Sequence, residues 1–354
     1  MHRSVVTAFT CLALAAGAFP AAAEVAREAS EKVIPATGIR ALVVENRRGD
    51  VEVRAGGGDR IHLVAVKEIR GTSAERRRLG QETQVSTSIE GGTLTVRVIY
   101  PASISVHLNF WDLFNGFDVP RSDVRLTLDV PAGLAVSLRS SSGDLSTRGL
   151  SGLQSFETSS GDVEVRDAGG MVQTSTSSGD VTAEAIGGAR MRSSSGDLKI
   201  AGARGPLDLR ASSGDIDVRG AADSVTLVAS SGDVTLESAP RGARVRTESG
   251  QVEVGSASGR VVIGASSGDV HVTLRAPLSA VEIRTESGEL TARVDGAASL
   301  AVDVETSSGS IETELPLRIR NASRHSLTGT VGAGQTPLIL RTSSGDIHLT
   351  GGGR

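Results

Sequence analysis

The chain has 354 residues and a formal net charge of −4, and only 2% of its residues are aromatic. An acidic balance argues against a nucleic-acid partner, which requires a basic face. The single cysteine, Cys11, lies in an apolar N-terminal stretch, so the remaining chain is free of cysteine. A chain of this length is ample to bury a core without disulfides.

Residues 1–23 are typical of a secretory signal peptide. His2 and Arg3 precede an apolar run, and Ala21-Ala22-Ala23 before Glu24 is a small-residue cleavage site. The run is too short to span a membrane, and no later segment is apolar enough to do so. The sequence therefore predicts an exported protein, located in the periplasm or at the cell surface.

Residues 24–130 lack a regular repeat and are predicted to form a small, mostly β capping region. One copy of the later repeat pattern, at 42–53, predicts a first, degenerate coil. Alternating apolar residues predict strands at 61–66 and 94–99, and a charged segment between them, 73–84, predicts a short helix. Because an open solenoid end exposes an unpaired strand edge, we expect this region to cover it.

A cluster of aromatic residues forms an insertion at 109–117. Its members are Phe110, Trp111, Phe114 and Phe117. Two interpretations are open. The cluster is either an exposed anchor for a membrane, a glycan or a partner protein, or a hydrophobic plug over the N-terminal end of the repeats.

Residues 131–354 contain a turn that recurs about every 18 residues, which indicates one structural unit stacked on itself. The turn glycines are Gly143, Gly161, Gly179, Gly196, Gly214, Gly232, Gly250, Gly268, Gly288, Gly309 and Gly345. Serine precedes each of them, and an aliphatic residue lies two positions after each. We expect these glycines to adopt positive φ. The final gap of 36 residues is interpreted as two periods with one turn lost.

Alternation on both sides of the turn predicts two short strands per coil, each with one buried face. Before the turn, Leu209 and then the small Ala211 point inward; after it, Ile216 and Val218 do so. Copies in register stack about 4.8 Å apart as parallel sheets. The sequence therefore predicts an all-β fold: a parallel β-solenoid of the single-stranded β-helix kind with coils of about 18 residues, preceded by the capping region.

An aspartate follows the glycine in most turns, so that stacked coils carry a ladder of carboxylates about 5 Å apart. The candidate members are Asp144, Asp162, Asp180, Asp197, Asp215 and Asp233. Divalent cations such as calcium could bridge this ladder. Alternatively, each aspartate accepts hydrogen bonds from the backbone of its own turn. No other cofactor is indicated.

Arginine recurs one residue before the small inward position, which places it on one outward face. The candidate partner-binding members are Arg192, Arg210, Arg246 and Arg284. They form either a basic stripe for an anionic glycan or lipopolysaccharide, or solvated positions that pair with acidic neighbours. The acidic neighbours considered are Glu157, Glu282, Asp303 and Glu305.

Catalytic machinery is not indicated by the sequence. Stacking places carboxylates side by side wherever acidic turns are neighbours, whereas a catalytic pair is singular and lies in a pocket. The histidines are scattered without metal-ligand spacing, and no nucleophile motif or phosphate loop occurs. A polysaccharide-active solenoid enzyme is therefore the least favoured function.

The segment Val124-x-Leu126-x-Leu128-x-Val130-Pro131-Ala132-Gly133, followed by Ser-Ser-Gly-Asp turns, resembles a bacterial adhesin-like family of β-strand-repeat proteins with a domain of unknown function. The segment 338–347 is similar to the end of such domains, so the resemblance covers about residues 40–354. It implies an exported, non-enzymatic β-solenoid, and the family has no assigned site residues to carry over. The insertion at 109–117 departs from its pattern.

Together these observations predict an adhesin-like surface protein that presents a repetitive face to a glycan or protein partner. The alternative is a periplasmic scaffold of the cell envelope with a structural or stress-associated role. The sequence leaves the oligomeric state open.

Overall fold

The computed structural model describes residues 10–11, 25–56, 58–71, 73–101, 121–295 and 299–352. The chain is nearly all-β with many parallel strands, which confirms the predicted solenoid class. It divides into two compact units, Met1–Glu164 and Val165–Arg354. The aromatic cluster at 109–117 lies outside the described residues, as does the predicted signal peptide except for Thr10 and Cys11. Within the described ranges, no helix is long and apolar enough to cross a membrane.

In its described residues, the first unit contains one helix and eleven complete strands, with a twelfth strand crossing into the second unit. The elements are β1 (Thr10–Cys11), β2 (Ala26–Pro35), β3 (Ala41–Arg48), β4 (Val51–Ala55), β5 (Arg60–Arg70), α1 (Ser73–Glu82), β6 (Gln84–Glu90), β7 (Thr93–Ile99), β8 (Arg121–Val130), β9 (Ala135–Ser142), β10 (Leu145–Arg148), β11 (Gln154–Thr158) and β12 (Val163–Arg166).

Coils of the first unit stack in an order that differs from their order in sequence. β3 lies between β7 and β9, and β4 lies between β8 and β10, all parallel and in register. Leu42, for example, is level with Leu94 on one side and with Val136 on the other. The degenerate coil predicted at 42–53 is therefore present, but it is second in the stack.

Antiparallel strands line the outer side of the coil formed by β7 and β8. β6 pairs with β7, β5 pairs with β8, and β2 pairs with β5. Helix α1 matches the helix predicted at 73–84; it contacts β5, with Leu79 buried and Gly80 beside the Ile69 side chain. The division at residue 130 between a capping region and the repeats stays a prediction.

The second unit consists of strands alone in its described residues. They are β13 (Met171–Thr176), β14 (Val181–Ile186), β15 (Gly188–Ser193), β16 (Leu198–Ala203), β17 (Leu207–Ala211), β18 (Ile216–Ala221), β19 (Val225–Ser231), β20 (Val234–Leu236), β21 (Ala243–Ser249), β22 (Val252–Ser267), β23 (Val270–Ser287), β24 (Leu290–Asp295), β25 (Leu300–Ser308), β26 (Ile311–Thr313), β27 (Arg318–Ala322), β28 (Ser326–Val331), β29 (Thr336–Ser344) and β30 (Ile347–Gly351).

Each coil of the second unit places one strand in each of two parallel stacks. The strand before the turn joins the first stack, as β15, β17, β19 and β21 do, and the strand after it joins the second, as β16, β18 and β20 do. Leu209, Ala211, Ile216 and Val218 are all buried, as predicted. The interior is therefore filled by aliphatic side chains from both strands of every coil, because the same parity points inward in each copy.

The last coil in sequence is not the last coil in the stack. β29 lies between β23 and β25, and β30 lies between β24 and β26. Gly345 accordingly stacks on Gly288, and Gly309 stacks on Gly345. The interpretation of the 36-residue gap as two periods with a lost turn is therefore wrong. The intervening residues form β27 and β28, with β28 antiparallel to β25, and the chain then returns to insert a complete coil.

Candidate functional site

Close stacking of one coil on the next holds the turns that carry the aspartates. A Cβ on Gly214 would lie 2.2 Å from the carbonyl oxygen of Gly196, and one on Gly161 would lie 2.0 Å from that of Gly143. Only glycine fits at these positions without a movement of the backbone. The expectation of positive φ is wrong at four turns: Gly161, Gly179, Gly196 and Gly214. At Gly161, Gly196 and Gly214, the space between coils rather than the dihedral angle requires glycine.

Five carboxylates of the ladder each join two coils: Asp144, Asp180, Asp197, Asp215 and Asp233. The Asp215 N–H donates to Oδ1 of Asp197 over 3.0 Å, and the Asp233 N–H donates to Oδ1 of Asp215 over 2.8 Å. The same bond links Asp197 to Asp180 and, in the first unit, Asp162 to Asp144. The expectation that each aspartate bonds its own turn is therefore wrong, because stacking in register brings the N–H of the neighbouring turn within reach.

Hydrogen bonds from a neighbouring turn lower the pKa of two turn carboxylates, Asp197 and Asp346. The Asp215 N–H, assisted by the Lys199 ammonium, holds the pKa of Asp197 below its ordinary value. The backbone N–H and hydroxyl of Ser310 lower the pKa of Asp346 in the same way. Both carboxylates are therefore ionised at neutral pH and already hold hydrogen-bond donors. Nowhere in the described ranges are three or more His, Cys, Asp or Glu side chains grouped so that they could hold a metal ion. Those residues therefore offer no set of ligands for the calcium ion considered from the sequence.

Five arginines form a basic surface on the outward side of β15, β17 and β21, called the arginine face below. They are Arg190, Arg192, Arg210, Arg244 and Arg246. In the sheet register, Arg192 lies beside Arg210, and Arg246 lies two strands further on, beyond Val228. The next residue in this row, Gly264, has nothing within 4 Å of the position where a Cβ would be. The arginine face is therefore open to solvent beyond Arg246.

Ion pairing divides the predicted arginines into two groups. Arg210 pairs with Asp208 over 3.1 Å, and Arg284 pairs with Glu282 over 2.8 Å, as the solvated-pair interpretation requires. The four acidic neighbours considered from the sequence all pair with an arginine: Glu157, Glu282, Asp303 and Glu305. Three arginines of the arginine face have no carboxylate of the described chain within ion-pairing distance: Arg192, Arg244 and Arg246.

Sequence reasoning missed Arg190 and Arg244, although they lie two residues before Arg192 and Arg246 and share their outward parity. Charge of the other sign lies on the second stack and its turns. The acidic residues there include Asp180, Asp197, Asp215, Asp217 and Asp233, while Lys199 and Arg219 pair with Asp197 and Asp217. Positive charge therefore predominates on the first stack, although Asp208 and Glu248 lie there too, and negative charge predominates on the second stack and its turns. The aromatic candidates Phe110, Trp111, Phe114 and Phe117 lie outside the described residues.

Stacked parallel coils with one glycine turn per repeat define a β-solenoid repeat protein. The model of the Toastrack family DUF4097, a domain of unknown function, matches residues 39–242 and 221–350. The chain belongs to this family, which confirms the resemblance to a family with a domain of unknown function. No curated protein matches the chain.

Several solved structures share some likeness with the chain. A candidate cell adhesion protein from Clostridium sporogenes is 8% identical, with a TM-score of 0.22, over 92% of this chain and 100% of its own. A candidate lipid binding protein from Parabacteroides distasonis is 16% identical, with a TM-score of 0.35, over 92% and 97%. A candidate adhesin from Bacteroides fragilis is 10% identical, with a TM-score of 0.24, over 91% and 96%. Likeness at this level carries no function or partner to this chain.

Proposed function

We propose that the protein is exported and acts as a non-enzymatic, adhesin-like binding scaffold that holds an anionic glycan on its arginine face. The observation that carries this proposal is the group of three exposed arginines without carboxylate partners, Arg192, Arg244 and Arg246. Arg244 and Arg246 share one strand, Arg192 lies three strands away in the same stack, and no carboxylate of the described residues lies within ion-pairing distance of them.

The chemistry of arginine suits such a ligand. A guanidinium group presents planar N–H donors that match carboxylate and sulfate groups in a bidentate manner. One exposed ion pair contributes only about 0.2–1 kcal/mol, so a single arginine binds weakly. A row of arginines at fixed spacing engages several anionic groups of one chain at once, which raises the total affinity. A repeating polymer is therefore a better ligand for this face than a small anion.

The distribution of charge supports binding on one side only. The second stack carries Asp197, Asp215 and Asp217, which would repel a polyanion from that side of the coils. An anionic glycan is thus directed to the arginine face. The ladder carboxylates repeat one geometry from coil to coil, so none of them is distinguished as a catalytic acid or base. This supports binding rather than turnover.

The test is binding to immobilised polygalacturonate and heparin, measured by surface plasmon resonance. The triple variant Arg192→Gln, Arg244→Gln, Arg246→Gln should lose about tenfold in affinity or more, the equivalent of three weak exposed pairs. The control is Lys199→Gln, Arg219→Gln, Arg293→Gln, which removes the same charge from the second stack. An equal loss in both variants, or no loss in the first, would refute the proposal.

The location of the protein distinguishes a surface adhesin from a periplasmic scaffold of the cell envelope. Protease treatment of intact cells should cut a surface adhesin. Protection until the outer membrane is opened would favour the alternative, a periplasmic envelope scaffold that binds an anionic glycan of the cell wall.

A further inference from the structure

The hairpin formed by β27 and β28, called the C-terminal hairpin below, is unusually exposed. All eight residues from 318 to 325 are exposed. Ile319 is 57% exposed, the highest value among the large hydrophobic side chains of the described residues. Among the described strands β27 pairs with β28 alone, so its outer edge is free. An apolar side chain at such an edge is a liability unless a partner covers it.

The same segment carries positive charge without compensation. Between residues 315 and 336 the sequence contains no aspartate or glutamate, and its basic residues are Arg318, Arg320, Arg324 and His325. No carboxylate in the described ranges lies within ion-pairing distance of these arginines. Asp303 and Glu305 of β25, on the other side of β28, pair with Arg341 instead. The C-terminal hairpin is therefore both cationic and partly apolar.

Packing holds the backbone of the C-terminal hairpin in a defined position. Leu327 of β28 is buried and pairs in register with Val304 of β25. A Cβ on Gly329 would lie 2.9 Å from the carbonyl oxygen of Arg318, so β27 and β28 approach closely where they pair. The Ser323 N–H donates to the Ser326 carbonyl over 2.8 Å and closes the turn. The exposed edge is thus presented by a fixed strand.

We propose that the C-terminal hairpin docks on the surface of an anionic lipid bilayer. The hairpin meets the bilayer with the free edge of β27, so that Arg318 and Arg320 on one face and Ile319 on the other both reach it. The arginines then lie among the lipid phosphates, and Ile319 enters the boundary between headgroups and acyl chains. A bilayer provides negative charge and an apolar layer at the same surface, whereas a polyanionic glycan provides only the charge. This function concerns residues other than the arginine face and does not depend on glycan binding.

The test is cosedimentation with vesicles of phosphatidylcholine alone and of phosphatidylcholine mixed with phosphatidylglycerol. The protein should bind the mixed vesicles only. Each basic residue near an anionic surface contributes about fivefold in affinity, so Arg318→Gln, Arg320→Gln, Arg324→Gln should weaken binding about 100-fold. Ile319→Ser leaves the charge unchanged and should still weaken binding several-fold, because less apolar surface enters the bilayer.

The matched control is the triple glutamine variant of the arginine face, Arg192→Gln, Arg244→Gln, Arg246→Gln, which should bind the mixed vesicles within twofold of the unmodified chain. Inorganic phosphate at the same phosphate concentration as the vesicles should not displace the protein. Equal losses in both triple variants, an unchanged affinity in Ile319→Ser, or displacement by free phosphate would each overturn bilayer docking. Polygalacturonate binding by the hairpin variants should stay unchanged, which separates this result from the proposed function.

Discussion

Replacing a single turn glycine tests the stacking that holds the coils together. Gly214 is the sharpest position, because its φ is not positive and backbone strain does not complicate the substitution. In Gly214→Ala the new methyl carbon would lie 2.2 Å from the Gly196 carbonyl oxygen and 2.6 Å from its carbonyl carbon. Both atoms belong to the backbone, so rotation of a side chain cannot relieve the clash. The two coils must therefore separate locally.

The cost follows from what lies around this turn. Overpacking of this kind costs about 1–3 kcal/mol. The separation also strains the two hydrogen bonds that link the turn to its neighbour, from Leu198 N–H to the Asp215 carbonyl over 2.9 Å and from Asp215 N–H to Asp197 over 3.0 Å. Each contributes about 1 kcal/mol. We expect Gly214→Ala to lower the free energy of unfolding by about 3–5 kcal/mol.

The chain offers a matched control in Gly264, which lies in a strand and has nothing within 4 Å of the position that an added methyl carbon would take. Gly264→Ala should be neutral or stabilise by about 0.4–1 kcal/mol, because alanine restricts the unfolded chain. Urea unfolding followed by far-ultraviolet circular dichroism measures both variants. An unfolding midpoint of Gly214→Ala equal to that of the unmodified chain, or equal losses in both variants, would refute the stacking argument.

Three other outcomes test hydrogen bonding and titration. Asp215→Ala should cost about 1 kcal/mol in urea unfolding, because the Asp233 N–H loses its acceptor, whereas Asp215→Asn keeps an oxygen and should recover most of this. The second unit should lose stability as the pH falls below about 4, through the lowered pKa of Asp197, and Asp197→Asn should flatten that part of the profile. A hydrogen bond to Glu31 raises the pKa of His62, so protonated His62 stabilises the folded chain. This contribution to the free energy of unfolding should be complete below about pH 6.5 and decline as the pH rises through the raised pKa. If His62→Gln leaves the dependence of stability on pH unchanged, this reasoning is wrong.

Both units share a way of ordering their coils. In the first unit β3 and β4 occupy the second place, and in the second unit β29 and β30 occupy the place before the last. In the first unit both strands of the outermost coil carry an antiparallel strand, β6 on β7 and β5 on β8, and in the second unit β28 lies antiparallel on β25. A parallel strand covered in this way does not present its edge as a template for another chain.

The candidate site was predicted from the sequence in part. The period and the parity place Arg192, Arg210, Arg246 and Arg284 on one outward face, and the structure keeps them there. Which of them is neutralised follows the residue two positions earlier on the same strand. Asp208 and Glu282 pair with Arg210 and Arg284, whereas Arg190 and Arg244 stand at that place before Arg192 and Arg246.

The sequence indicated the C-terminal hairpin less clearly than the arginine face. Residues 315–336 interrupt the period and contain arginines without any carboxylate, and that combination could have drawn attention to them. Their exposure could not be predicted, because an alternating segment such as Leu317-Arg318-Ile319-Arg320 is also typical of a strand with one buried face.

The sequence by itself determined the coil: its two strands, its inward residues and its glycine turn. These features are local, because a period of two along the strand and the chemistry of a tight turn are decided by residues that lie close together in the chain. The tertiary structure alone decided which coils are neighbours. It inserted residues 336–351 between two earlier coils and aimed each ladder carboxylate at the N–H of another turn. Repeats that share one pattern can stack in several orders, and only the packing of the complete chain selects among them.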